Sequence, residues 1–242
     1  MRIARMVLSL LFAVPIYIFK FWWLGRHRSK AELFEYIKKK TKRANKAGKV
    51  KIEVHGEENI PKEDGFVVFP NHQGLYDAMV FLDVFPRPVS FVVKKEVRNV
   101  VLVKQVIDGL GCLVIDRSDL RQSMTVIKEM TRRVGEGENI VIFAEGTRSK
   151  LGNRMLDMKG GSFKSAVKAK CPIVPCALVD SFLPFDSKTL KPVNVKVFYL
   201  PPMYYEEYKD MSTLEIAVEV KRRIEEVLIK ESPNPNGSTL AP

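Results

Sequence analysis

The sequence predicts an α/β fold, a mixed and largely parallel sheet flanked by helices, preceded by an N-terminal two-helix motif suited to a membrane surface. From residue 50 onward, short β-rich runs alternate with segments of helical periodicity. Several of those runs, FVVF, IVIF and IVPCAL, are apolar almost throughout, as strands are when helices cover both faces of a sheet. The formal charge of +12 is also unevenly placed: the first 51 of the 242 residues hold 14 Lys and Arg against two acids, and the remainder is neutral.

The elements follow in order. Residues 6–19 (MVLSLLFAVPIYIF) are apolar apart from Ser9 and would reach about 21 Å as a helix, short of the roughly 30 Å hydrocarbon core. Extended to Leu24 the run is marginal for a span, with Pro15 kinking it and Trp22 and Trp23 at the interfacial level. FKFWWLGRHR offers no small-x-small cleavage site, which argues against a signal peptide. Ser29 and Glu32 then form a capping-box pattern opening a second helix. One side of it carries Leu33, Phe34, Ile37, Thr41 and Ala44, and the other Lys38, Lys39, Lys40, Lys42, Arg43 and Lys46. A basic amphipathic helix beside an apolar one has the composition of an interfacial anchor on an anionic membrane, the rival being a charged helix packed on its own domain. The larger basic cluster after the apolar run places the rest of the chain on the cytoplasmic face.

Strands are expected at 50–54, 66–69, 89–93, 112–115, 140–143, 173–178 and 193–200, and helices at 76–85, 97–109, 120–136, 162–170 and 214–231. This divides the chain into an anchor (1–48), an α/β domain (49–231) and a disordered tail (232–242). A composition of 46% hydrophobic and 28% charged residues excludes a disordered chain or a small disulfide-stapled module. Cys112, Cys171 and Cys176 lack metal-ligand spacing and read as reduced residues in or near the core. A neutral body, and a basic helix without interleaved aromatics, argue against nucleic acid.

His72, in PNHQGLYD, follows the apolar strand FVVF, and strand ends are where α/β folds place reacting groups. On one continuous helix His72 and Asp77 would stand about 140° apart. With His72 in a turn that Gly74 lets bend, and Asp77 in the first helical turn, the carboxylate can reach back to the imidazole, giving a general base with its orienter. A structural His–Asp hydrogen bond is the plain alternative; a metal pair is disfavoured because no third ligand is visible. Asp116 and Arg117 end a second apolar strand, and Glu145, Gly146, Thr147, Arg148 and Ser149 follow a third. Arginines at strand ends suit a phosphate, and Gly146 permits close backbone approach to a ligand. With no Ser or Cys in an activated setting, the nucleophile is expected to come from the substrate, and a base, a phosphate clamp and an anchor suggest a phosphorylated lipid alcohol.

These residues resemble the glycerolipid acyltransferase superfamily, and within it the bacterial 1-acylglycerol-3-phosphate (lysophosphatidic acid) acyltransferases. Four ordered blocks carry the likeness: N-H-x4-D at Asn71, His72 and Asp77; G-x-x-x-I-x-R at Gly111, Ile115 and Arg117; F-P-E-G-T-R at Phe143, Glu145, Gly146, Thr147 and Arg148; and V-P at Val174 and Pro175. Ala144 replaces the usual proline of the third block, and Cys176 stands where an aliphatic residue is common. MKGGSFKSAVKAK, before the fourth block, is similar to a Lys-Gly-rich segment of the family. The resemblance implies transfer of a fatty acyl group from acyl carrier protein or coenzyme A to the sn-2 hydroxyl of lysophosphatidate, giving phosphatidate. It casts His72 as general base and Asp77 as its orienter. Arg117 and Arg148 would bind the phosphate, and Glu145 and Thr147 would contact glycerol oxygens or brace the arginines. The backbone near Gly146 is the candidate oxyanion donor, and no metal or cofactor is implied. Glycerol 3-phosphate or another lysophospholipid is the alternative acceptor, and a noncatalytic peripheral lipid-binding protein the alternative of a different class.

Overall fold

A computed structural model describes residues 2–11, 19–20, 23, 27–100, 103–186 and 190–232. Helix α1 (Arg2–Leu11) and helix α2 (Lys30–Gly48) precede β1 (Val50–His55), β2 (Val67–Pro70), α3 (Asp77–Val84), β3 (Ser90–Lys94), α4 (Val103–Gly109), β4 (Leu113–Ile115), α5 (Leu120–Gly135) and β5 (Ile140–Val141). Then come α6 (Lys164–Ala169), β6 (Ile173–Val179), α7 (Leu183–Asp186), β7 (Val193–Tyr199), α8 (Tyr205–Tyr208) and α9 (Thr213–Glu231). The seven strands form one sheet in the order β1-β7-β6-β2-β5-β3-β4, parallel at every pairing except the antiparallel β6–β7.

Strand periodicity sorts the side chains into two cores, as the alternation of Cβ directions requires. Val68, Val174, Cys176, Leu178, Val195 and Val197 join Phe34 and Ile37 of α2 and Val80 and Phe81 of α3 on one face. Val67, Phe69, Ile173, Ala177 and Val179 join Val126 and Met130 of α5, Ala166 of α6, and Ile216, Val220 and Ile224 of α9 on the other. This is the mixed, helix-flanked sheet that the apolar strand runs predicted, and all seven expected strands are present with ends shifted by one or two residues. The expected helix at 97–109 is a 3-10 turn over Lys95–Asn99 and, from Val103, the separate α4. Asn99 at the end of the turn and the β-branched Val100 after it have weak helix propensity.

Helix α2 starts as expected: the Ser29 side chain accepts from Glu32 N–H, and the Glu32 carboxylate accepts from Ser29 N–H. Its apolar side, however, is spent on the body. Leu33, Phe34, Ile37, Thr41 and Ala44 are buried, each large side chain contributing about 1.5–3 kcal/mol, while Lys39, Lys42, Arg43 and Lys46 face outward. Of the two N-terminal helices it is α1 that leaves large apolar side chains, Ile3, Val7 and Leu8, exposed; its Met6 is buried, and its Arg2 is buried with donors on Gly48 and Leu183 carbonyls. No described helix is long and apolar enough to cross a membrane. Residues 12–18 of the apolar run and the tail from 233 lie outside the described residues.

Candidate active site

Parallel strands bring their carboxyl ends to one edge of the sheet. Because β2 lies between β5 and β6, the residues after β2 stand between those after β5 and those after β6. His72 leaves β2 in a tight turn that Asn71 fastens to the neighbouring strand: its side chain donates to Leu178 O (3.0 Å) and accepts from Leu178 N–H (2.7 Å). A Cβ at Gly74 would stand 3.0 Å from Phe182 Cα, so a side chain there would crowd the turn against the segment after β6. Asp77 then opens α3.

The turn produces the pairing expected of it. His72 Nδ1 lies 2.7 Å from Asp77 Oδ2, which also accepts the N–H of Gln73 (2.7 Å) and of Gly74 (3.0 Å). Ser181 Oγ donates to Asp77 Oδ1 at 2.7 Å. Asp77 is wholly buried and His72 is 20% exposed. A proton held on Nδ1 by the carboxylate leaves Nε2 as the ring's acceptor. The ring stacks on Phe143, centroids 4.2 Å apart.

Glu145 belongs to the same cluster in a different role from those expected. It is 2% exposed, and its oxygens accept His72 N–H (2.6 Å) and Leu156 N–H (2.7 Å). It therefore braces the His72 turn against the 143–156 loop and holds neither arginine. Burial pushes its carboxyl up to about 7, offset in part by those two backbone donors. Gly146 has φ +78°, a conformation open to glycine, and an added Cβ would meet Lys159 Cε and Nζ at 3.1 Å. Its N–H donates to Phe143 O (3.1 Å), so this amide is already engaged and is not a free oxyanion donor.

Beside the pair opens a cavity of about 760 Å³ walled by Val92, Ile115, Met124, Ile127, Ile142 and Phe143, with Arg117 and Lys159 among its cations and Gly146 on its lining. Arg117 follows β4, three strand spacings from β2, or about 14 Å across the edge. Desolvation holds its guanidinium below the ordinary arginine range. Among the described residues, Arg117, Arg148 and Lys159 have no acid within salt-bridge distance, whereas Arg87, Arg98, Arg132, Arg133, Arg222 and Arg223 all do. Thr147 is exposed and Arg148 half-buried, and neither lines the cavity. Of the expected residues His72, Asp77 and Glu145 come together, while Gln73, Asn153, Asp180 and Ser181, which surround Asp77 through contacts spanning up to 108 positions, carry no sequence signal. Lys159 was visible only as part of the Lys-Gly-rich segment. No described group of three His, Cys, Asp or Glu residues is placed to hold a metal ion.

The chain matches the Acyltransferase family over residues 51–179. It is 34% identical over 153 residues to a Mycoplasma genitalium protein named as a probable 1-acyl-sn-glycerol-3-phosphate acyltransferase, covering 61% of this chain and 56% of that one. It is 30% identical over 196 residues to the 1-acyl-sn-glycerol-3-phosphate acyltransferase of Limnanthes douglasii, covering 78% and 67%. The bacterial relative is thus spanned over little more than half its length. Among solved structures, the crystal structure of the 1-acyl-sn-glycerophosphate (LPA) acyltransferase from Thermotoga maritima superposes with a TM-score of 0.72 at 26% identity, covering 94% of this chain and 98% of that one.

Proposed function

This chain belongs to the Acyltransferase family, and we propose that it moves a fatty acyl group from a thioester, on acyl carrier protein or coenzyme A, to the sn-2 hydroxyl of 1-acylglycerol 3-phosphate, forming phosphatidate for phospholipid synthesis. The observation that carries this reading is an oriented imidazole beside an apolar cavity whose Arg117 and Lys159 form no salt bridge among the described residues. His72 Nε2 takes the hydroxyl proton as the oxygen attacks the thioester carbonyl. Asp77 stabilises the imidazolium so formed, and the collapsing intermediate expels the thiol, which recovers the proton from His72. Arg117 and Arg148 supply charge for the acceptor phosphate. Lys159, whose ammonium would stand 3.1 Å from a Cβ at Gly146, is a side-chain donor for a developing oxyanion there. The apolar wall suits an acyl chain.

The relatives named for the 1-acylglycerol-3-phosphate reaction favour that acceptor over glycerol 3-phosphate. The exposed Ile3, Val7 and Leu8 of α1, with the outward lysines of α2, support work at an anionic membrane surface on the cytoplasmic side. Assay of purified protein on lysophosphatidate and glycerol 3-phosphate in parallel tests the reading: phosphatidate from the first acceptor supports it, and turnover of glycerol 3-phosphate alone would overturn it.

A further inference from the structure

Asp77 is buried beyond the reach of water, yet both of its oxygens are satisfied, and they are satisfied from different parts of the chain. Oδ2 is served locally by His72, Gln73 and Gly74. Oδ1 is served by a single group, the Ser181 hydroxyl, from 104 residues away beyond the end of β6. Ser181 Oγ also lies 3.0 Å from Gln73 Oε1, but that amide oxygen receives Ser181 N–H (3.1 Å), and the hydroxyl has one proton to give. The charged acceptor takes it.

Ser181 is not placed by sheet geometry alone. Asp180, immediately before it, holds φ +60°, in the sparsely populated left-handed region that persists only where surrounding contacts enforce it. Asn153 provides those contacts: its Oδ1 accepts Asp180 N–H (2.8 Å) and Gln73 Nε2–H (2.9 Å), and its Nδ2 donates to Asp180 Oδ1 (2.8 Å). Gln73, in turn, is the residue after His72. The loop after β5, the turn after β2 and the turn after β6 are thereby locked into one polar unit around the carboxylate.

We propose that Ser181 is a positioning residue of the acyltransferase site, held by a Gln73–Asn153–Asp180 brace so that its hydroxyl fixes the plane and charge of Asp77 and through it the orientation and basicity of His72. The inference rests on the reading of His72 as general base. Without the hydroxyl, Oδ1 is buried with no donor, and the carboxylate, pinned through Oδ2 alone, can swing about its Cβ–Cγ bond. More of its negative charge is then available to the imidazolium, which favours the protonated ring. The other carboxyls around the pair are Glu145, close enough to feel the Asp77 charge, and Asp180. Lys159 approaches from the cavity side, and none of the three shares a hydrogen bond with the Ser181 hydroxyl.

The test is an NMR titration of the His72 ring, assigned by its absence in His72→Ala, in the full chain and in Ser181→Ala and Asn153→Ala, alongside steady-state kinetics. With only three histidines the signals are separable. In Ser181→Ala the titration midpoint should rise by about half to one pH unit, the acid limb of the rate profile should move with it, and kcat should fall about tenfold or more with KM within about twofold. Asn153→Ala, at a partly exposed position one step further from the carboxylate, should show the same changes at smaller size. A lower kcat with an unmoved midpoint in both variants would make the contact merely structural and overturn the proposal. A moved midpoint in a chain that makes no phosphatidate would instead refute the proposed function and leave the brace standing.

Discussion

The two ends of the sheet's carboxyl edge are built on opposite principles. Around His72 the polar groups are matched apart from its own Nε2: Asp77 accepts four hydrogen bonds, Glu145 accepts two, and Asn71 ties the turn to β6. Arg117 and Lys159 of the cavity, and Arg148 outside its lining, form no salt bridge among the described residues, whereas seven other arginines do. A saturated cluster is organised before substrate arrives, so no reorganisation is needed when a proton moves. An apolar cavity whose Arg117 and Lys159 form no salt bridge has positive charge to offer an anionic group. The contrast teaches that the chemistry and the recognition are separable, and each half can be damaged without the other.

The largest expected effect is on the saturated side. His72→Ala should lower acyl transfer by about three orders of magnitude or more while leaving the circular dichroism and melting temperature close to those of the parent.

Glu145 gives the next largest effect, and it is one of stability. Its folded pKa of about 7 exceeds the value of 4.5 that an unperturbed glutamate has, so the folded state binds the proton more tightly. The neutral carboxyl fits below pH 4.5, and stability is lost as pH rises through 7, on the order of 3 kcal/mol at most. Urea unfolding at pH 5 and pH 7.5 should reveal that decline in the parent chain, and Glu145→Gln should flatten it. An unchanged pH dependence in the variant would show that another group sets it.

On the cation side the effects are smaller and leave the fold alone. Arg117→Ala should weaken apparent affinity for lysophosphatidate by about tenfold to a hundredfold, the loss of one charged hydrogen bond, with no change in melting temperature and none in the titration of His72. A matching loss of His72 function would break the separation drawn above.

Much of this was legible beforehand, for identifiable reasons. Strands β2 and β6 are apolar at nearly every position because both faces are covered, and the His72–Asp77 pairing is five residues long, within one turn. Ser181 and Asn153 were not legible, because a polar residue that reaches its partner across about a hundred positions leaves no periodicity. The basic second helix misled for another reason: hydrophobic spacing reports a buried face but not what buries it. Its apolar side enters the protein core, so deleting residues 1–48 would remove Leu33, Phe34 and Ile37 from beneath the sheet. The membrane reading is better tested on α1. Replacing Ile3, Val7 and Leu8 together with Ser should reduce binding to anionic vesicles about tenfold by sedimentation, the smallest effect expected here. Undiminished binding would transfer the role to the outward lysines of α2.

The central claim is that His72, oriented by Asp77, drives acyl transfer to a phosphorylated glycerol lipid. Its most direct test is phosphatidate formation by the purified parent and His72→Ala chains on lysophosphatidate, with matched series of acyl carrier protein and coenzyme A thioesters. The account predicts phosphatidate from the parent with at least one donor series and none above background from the folded variant. A parent inactive with both series, or a variant as fast as the parent, would contradict it.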